Sequence, residues 1–122
     1  LVLEGLTMYL DEPAIRRLLR DLAGATAAGS RLAVEFHPPR KAGSSRNRRQ
    51  RALQRLARAG SGETLRCRLP RPEALELVRA SGWDVTEAAG GAELARALLG
   101  PSTGLPVDAV SSHGSFVAAT HA

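Results

Sequence analysis

Short apolar runs of strand type alternate along this chain with longer stretches in which apolar residues recur at helical spacing. Leu1-Val2-Leu3 is the first such run, and residues 31–36 form a second one in which apolar and polar residues alternate. Between them Asp11 is a good helix N-cap, and Pro13 is tolerated in a first helical turn. The alternation predicts an α/β fold, in which right-handed crossovers place helices on both faces of a sheet.

The same patterns predict the elements in the rest of the chain. These are a helix over 47–59, an extended stretch over 65–69, a helix from Pro72 to about Gly82, a strand over 83–88, a short helix after Gly90-Gly91, a loop over 100–112 and a final strand over 114–120. The first helix, after Asp11, is predicted to end near Gly29, because glycine is a common C-terminal stop.

Length and cysteine content limit the class of protein. A chain of 122 residues buries roughly two-thirds of its unfolded surface, which is enough for one core. No run of about 18 apolar residues predicts a membrane-spanning helix. The single cysteine, Cys67, cannot form an internal disulfide and is expected to be a small core residue, and no Cys/His cluster predicts a metal site. These features favour a cytoplasmic protein.

The net charge of +5 has a local origin in the segment from Arg40 to Arg58. That segment holds eight positive residues and no acidic ones, so the remainder of the chain is net negative. The segment is either a solvated helix face or a contact surface for nucleic acid or another polyanion. No aromatic residue lies between His37 and Trp83, and stacking on single strands needs aromatics. Nucleic acid is therefore not the expected partner.

Two polar positions follow the first two predicted strands. Glu4 and Gly5 come directly after the first apolar run, with Tyr9 four residues on, and His37 follows Phe36. Ligands of open α/β sheets bind outside the carboxyl ends of the strands. Glu4 is thus a candidate ligand contact or a solvated carboxylate before a turn glycine. His37 is a candidate general base or substrate contact, or a surface residue before a proline turn.

The ordered motifs resemble one enzyme family. Glu-Gly-x-x-x-Tyr-Leu over 4–10, an amphipathic helix and Gly-Ser-Arg-Leu-Ala-Val-Glu-Phe over 29–36 resemble the leucine carboxyl methyltransferase-like family of S-adenosylmethionine-dependent methyltransferases. Ser-Gly-Trp-Asp-Val over 81–85 and the closing run over 115–120 agree in order. The resemblance implies a Rossmann-like class I methyltransferase sheet of seven strands with the last one antiparallel. Residues 1–122 would supply strands four to seven, without the N-terminal half that holds most of the cofactor.

The resemblance also implies roles for individual residues. Glu4 and Gly5 would bind S-adenosylmethionine, and Tyr9 and His37 would lie on the substrate side; no catalytic residue is assigned. The implied reaction is methyl transfer to a carboxylate or hydroxyl oxygen of a small molecule or protein, with this chain inactive when alone. The alternative function is a small α/β binding module that contacts a polyanion through the arginine-rich segment.

Overall fold

The computed structural model describes residues 1–39, 65–103 and 114–121, and of residues 99–103 it describes the backbone only. The predicted helix over 47–59 and the arginine-rich segment from Arg40 to Arg58 lie outside these ranges. The secondary-structure elements within them are, in chain order, β1 (Val2–Leu3), a 3-10 turn (Thr7–Tyr9), α1 (Glu12–Ala25), β2 (Arg31–Phe36), α2 (Arg71–Arg79), β3 (Trp83–Gly90), α3 (Gly91–Thr103) and β4 (Ser115–His121).

The described strands form one sheet in the order β1-β2-β4-β3. Strands β1 and β2 are parallel, with Leu3 opposite Val34. The last strand, β4, lies between β2 and β3 and runs antiparallel to both. This confirms the predicted α/β fold class, with a final antiparallel strand and flanking helices.

One face of the sheet, the core face, carries the hydrophobic core. Leu32, Val34 and Phe36 alternate along β2 and are each at most 2% exposed. They pack with buried residues of α1 and α2, the two helices on this face. Trp83 lies in the same cluster, and its indole N–H donates a hydrogen bond of 2.9 Å to the carbonyl of Leu19 in α1.

The opposite face, called the open face here, carries small and charged residues. Ala33 and Glu35 of β2 lie opposite Ala118 and Phe116 of β4, and Glu87 of β3 pairs with Ala118. A groove runs over this face, and Leu94 of α3 is the one helical side chain among the described residues that line it. The prediction that helices cover both faces is therefore met on the core face alone within the described ranges.

Some predicted bounds differ from the structure. Helix α1 ends at Ala25 with Thr26 as its C-cap, because the Thr26 hydroxyl hydrogen-bonds the Leu22 carbonyl. Gly29 instead adopts φ +81° in the turn that leads into β2. Residues 65–69, predicted as an extended stretch, pair with no described strand, and the amide of Arg66 donates to the carbonyl of Met8. Helix α3 continues to Thr103, four residues into the predicted loop.

Cys67 of this loop is half-buried and packs against the core, as the sequence predicts. Burial raises the pKa of its thiol, and the nearby carboxylates of Glu12 and Asp11 raise it further. A thiol held in its neutral form is a weak nucleophile, so the environment of Cys67 is that of a packing residue.

Candidate functional site

The ends of β1 and β2 meet at one edge of the sheet because the two strands are parallel neighbours. Glu4 and Gly5 follow the end of β1, and His37 follows the end of β2. The residues that the sequence placed separately thus lie at the same carboxyl edge, which is where open α/β sheets bind ligands.

The loop after β1 is attached to β2 by two hydrogen bonds. The amide of Gly5 donates to Oε2 of Glu35 over 3.2 Å. The buried hydroxyl of Thr7 donates to the backbone carbonyl of Glu35 over 2.6 Å. Gly5 adopts φ +63°, a left-handed conformation that costs other residues energy, and this turn directs its amide toward the carboxylate.

Glu35 and His37 project from the same side of the chain, since they are two residues apart at the end of a strand. Oε1 of Glu35 lies 3.5 Å from Nε2 of His37, and the two side chains are 16% and 23% exposed. Nδ1 of His37 is buried and has no hydrogen-bond partner among the described residues. The carboxylate therefore touches Gly5 through one oxygen and His37 through the other.

Gly114 provides the space that this carboxylate occupies. A Cβ at this position would lie 3.2 Å from Oε1 of Glu35 and 2.8 Å from the ring of Phe116. Any side chain here would displace one of those groups, so the glycine keeps the Glu35 carboxylate between the loop after β1 and His37.

The groove on the open face begins beside this edge and has a volume of about 310 Å³. Its walls are mostly apolar, and three carboxylates, those of Glu4, Glu35 and Glu87, also line it. The carboxylate of Glu4 is exposed. An apolar groove with carboxylates at its edge suits a ligand that carries positive charge on an otherwise apolar body.

Comparison with known proteins gives two kinds of match. No family model matches the chain. A protein of Mycobacterium avium, "Putative S-adenosyl-L-methionine-dependent methyltransferase", is 42% identical over 57 residues, which are 47% of this chain and 19% of the relative. A Mycobacterium marinum protein of the same name is 44% identical over 57 residues, or 18% of its length. The match thus covers less than one fifth of these curated relatives.

Solved structures match nearly the whole chain. The 1,6-didemethyltoxoflavin-N1-methyltransferase of Burkholderia thailandensis, with bound S-adenosylhomocysteine, aligns with a TM-score of 0.59 and 14% identity over 98% of this chain and 42% of its own. An O-methyltransferase family 2 protein of Planctomyces limnophilus, in complex with apigenin, aligns with a TM-score of 0.55 and 16% identity over 99% of this chain and 29% of its own. The pyocyanin biosynthetic protein PhzM aligns with a TM-score of 0.54 and 20% identity over 99% of this chain and 29% of its own.

The chain has a methyltransferase fold. The sequence relatives and structural neighbours together support the class I S-adenosylmethionine-dependent methyltransferase superfamily. The names of the relatives, and the S-adenosylhomocysteine bound to the Burkholderia enzyme, support S-adenosylmethionine as the cofactor. The leucine carboxyl methyltransferase-like subfamily is a finer assignment that these matches do not reach, and it stays a prediction.

Within this methyltransferase fold, three of the candidate residues, Glu4, Gly5 and His37, lie close to Glu35. Gly5 contacts His37 indirectly, through Glu35, and Glu4 lines the groove next to Glu35. Tyr9 lies at the end of the 3-10 turn, is 37% exposed, and is not among the described residues that line the groove. The roles of Glu4, Gly5, Tyr9 and His37 toward cofactor and substrate stay predictions.

The sequence analysis assigns neither Glu35 nor Thr7 to the site. The available signal for Glu35 was its i, i+2 spacing from His37, which puts both side chains on one face of an extended chain. Thr7 carried no such signal, because its contact with β2 depends on how the loop after β1 folds back.

Within residues 1–39, 65–103 and 114–121, no group of three His, Cys, Asp or Glu side chains is arranged to hold a metal ion. None of the helices in these ranges combines the length and the apolar character needed to cross a bilayer.

Proposed function

We propose that this chain is the C-terminal half of a class I methyltransferase domain, and that the complete enzyme transfers a methyl group from S-adenosylmethionine to a carboxylate or hydroxyl oxygen. The observation that carries the proposal is the meeting of Glu4, Gly5 and His37 at the carboxyl edge of a sheet whose last strand is antiparallel. In a sheet of this type, that edge is the expected position of the cofactor and the acceptor.

The residues at this edge fit S-adenosylmethionine in two respects. Glu4 offers an exposed carboxylate, which would attract the positively charged sulfonium or amino group of the cofactor. Among the described residues, no atom beyond the chain neighbours lies within 4 Å of the place where a Gly5 side chain would begin, so a ligand has room to approach the backbone there. When bound, the cofactor supplies an already activated methyl group, and the protein has to orient the acceptor and exclude water.

His37 is the proposed contact on the acceptor side. Its side chain is 23% exposed at the end of β2, one residue beyond the buried Phe36. An imidazole in this position can hydrogen-bond an oxygen atom of the acceptor. Tyr9, which is exposed on the neighbouring turn, is the second proposed contact on this side.

Small molecules are the acceptor class that the neighbours favour over proteins. The Burkholderia enzyme holds 1,6-didemethyltoxoflavin, and the Planctomyces protein holds apigenin. A small molecule is therefore the proposed acceptor class.

The open face supports the half-domain part of the proposal. Ala33, Phe116 and Ala118 form an apolar floor there, and Leu94 is the one helical residue among the described residues that cover it. The chain also spans only 42% of the Burkholderia enzyme, although nearly all of it aligns. We infer that further parts of a methyltransferase domain pack on this face.

The first experiment examines the coding sequence upstream of Leu1 and measures binding. We expect the upstream sequence to encode a strand followed by a glycine-rich turn, and calorimetry to show very weak binding of S-adenosylmethionine by the 122-residue chain alone. Micromolar binding by this chain would contradict the half-domain proposal. Unrelated sequence upstream would contradict it independently.

The second experiment tests the site in the longer protein. We expect that protein to bind S-adenosylmethionine, and Glu4→Gln to weaken binding because it removes the carboxylate that faces the sulfonium. Glu73→Gln in the first turn of α2 is the matched control, since it removes an equal charge away from this edge. Equal affinities of the two variants would show that Glu4 does not bind the cofactor. The alternative function, polyanion binding through Arg40 to Arg58, is not favoured by the comparisons.

A further inference from the structure

We propose that Glu35 is a positioning residue that holds the loop after β1 and the imidazole of His37 in one fixed arrangement, an inference that rests on the function proposed above. Glu35 lines the groove together with Glu4. It contacts Gly5, which the proposed function places beside the cofactor, and His37, which that function places beside the acceptor.

The two oxygens of the carboxylate have separate partners. Oε2 accepts a hydrogen bond from the amide of Gly5 over 3.2 Å, and Oε1 lies 3.5 Å from Nε2 of His37. The backbone of Glu35 is fixed as well, since its carbonyl accepts a 2.6 Å hydrogen bond from the buried hydroxyl of Thr7. Gly114 leaves space for Oε1. The contacts therefore use both carboxylate oxygens, and the position of the side chain is restricted from several sides.

The charge of the carboxylate also favours one tautomer of His37, through a 3.5 Å contact with Nε2. An ionised carboxylate only accepts hydrogen bonds, so a neutral imidazole facing it places its proton on Nε2. The lone pair then resides on Nδ1, which is buried and has no partner among the described residues. We therefore expect Glu35 to favour one orientation of the ring and the tautomer that is protonated on Nε2.

The decisive variant is Glu35→Gln, because an amide has one oxygen where the carboxylate has two. If the amide oxygen stays with Gly5, the NH₂ group faces Nε2 of His37, and the imidazole proton moves to Nδ1. If the amide oxygen turns to His37, the amide of Gly5 loses its acceptor. Glutamine cannot accept from both donors in the arrangement that glutamate uses.

The experiment is nitrogen NMR of the 122-residue chain labelled with ¹⁵N, with the His37 signals assigned by their loss in His37→Asn. In the unchanged chain we expect the neutral imidazole to be protonated on Nε2. In Glu35→Gln we expect either reversal of this tautomer or an upfield shift of the Gly5 amide proton. Glu87→Gln is the matched control: it removes a carboxylate that lines the same groove, has no described contact with Gly5 or His37, and should change neither signal.

Unchanged His37 and Gly5 signals in Glu35→Gln would overturn the proposal. If this variant does not fold, as judged by circular dichroism, Glu35→Asp replaces it, because the shorter carboxylate keeps the charge but cannot span both partners. We then expect one of the two contacts to be lost, and retention of both would overturn the proposal. These signals do not depend on methyl transfer, so a failure of cofactor binding would contradict the proposed function and leave this measurement standing.

Discussion

The core face and the open face of the sheet are built from alternate residues of the same strands. On the core face, Leu32 and Val34 are each 2% exposed and pack against α1 and α2. On the open face, the residue between them is Ala33, and the next is Glu35, whose carboxylate is held by contacts with Gly5 and His37. The core face therefore stabilises the fold, whereas the open face provides exposed surface and, at its edge, polar side chains that can contact a ligand.

The largest expected effect is a loss of folding stability when a charge is placed on the core face. Two neighbouring residues of β4, one on each face, test the difference between the faces. Ala119 lies on the core face and is 2% exposed, whereas Ala118 lies on the open face opposite Glu87. Ala119→Lys places a charge in the core without a partner, and we expect it to destabilise the fold by about 4 kcal/mol or more. Ala118→Lys places the same charge next to Glu87, and we expect a change of less than about 1 kcal/mol.

Urea unfolding followed by tryptophan fluorescence measures both variants, since Trp83 is buried in the core. A comparable loss of stability in the two variants would mean that the open face is as tightly packed as the core face. It would also contradict the inference that further parts of a methyltransferase domain pack there.

The next effect in size concerns the loop that brings Gly5 to Glu35. Gly5 adopts φ +63°, and no atom lies within 4 Å of an added Cβ, so Gly5→Ala adds backbone strain without a clash. We expect this variant to lose about 1–2 kcal/mol. Gly24→Ala is the control: Gly24 lies in α1 with equal free space, and alanine there should stabilise the helix by up to about 1 kcal/mol.

Thermal unfolding measures both variants. If Gly5 has the positive φ described above, Gly5→Ala lowers the melting temperature and Gly24→Ala raises it. Gly5→Asn should recover part of the loss, because asparagine tolerates the left-handed conformation better than alanine does. Stabilisation by Gly5→Ala would show that this residue does not adopt a positive φ, and the contact with Glu35 would then have no structural basis.

The elements of the core face could be predicted from the sequence because their patterns are local. The alternation along residues 31–36 predicts β2 with the bounds that the structure shows, and Asp11 caps α1 by accepting from the amide of Ala14. The hydrogen-bond partners of residues 65–69 could not be predicted in this way. Their alternating pattern is typical of a strand, but in the described residues their amides bond to the isolated carbonyls of Met8 and His37.

The site was predictable to the level of the sheet edge. Strand-end positions identify Glu4, Gly5 and His37, since parallel strands end at the same edge. The contact that joins them depends on the positive φ of Gly5 and on the space beside Gly114, which are properties of the folded chain. Residue spacing in the sequence predicts neither of these properties. The contacts of Glu35 with Gly5 and His37 could therefore be recognised only in the folded structure.

The smallest expected effect concerns the contact between α2 and α3. Arg71 begins α2 on the core face, and its Nη1 lies 3.0 Å from Oε2 of Glu93 in the first turn of α3. The same oxygen accepts from the amide of Gly90 at the end of β3, and Arg71 also donates to the carbonyl of Ala88. The hydrogen bond from Gly90, followed by the charge of Arg71, lowers the pKa of the fully exposed Glu93 carboxyl.

A lowered pKa in the folded state gives a definite dependence on pH. The unfolded chain binds the proton more readily, so the ionised Glu93 contributes stability above its ordinary pKa, and this contribution is lost as the pH falls through the lowered pKa. Glu93→Gln should therefore be slightly less stable than the unchanged chain at pH 7, and the two should converge in acid. Glu87→Gln, a nearby carboxylate outside this contact, is the control. A stability difference between Glu93→Gln and the unchanged chain that stayed constant from pH 7 into acid would mean that the helix junction depends on the shape of the side chain and not on its charge.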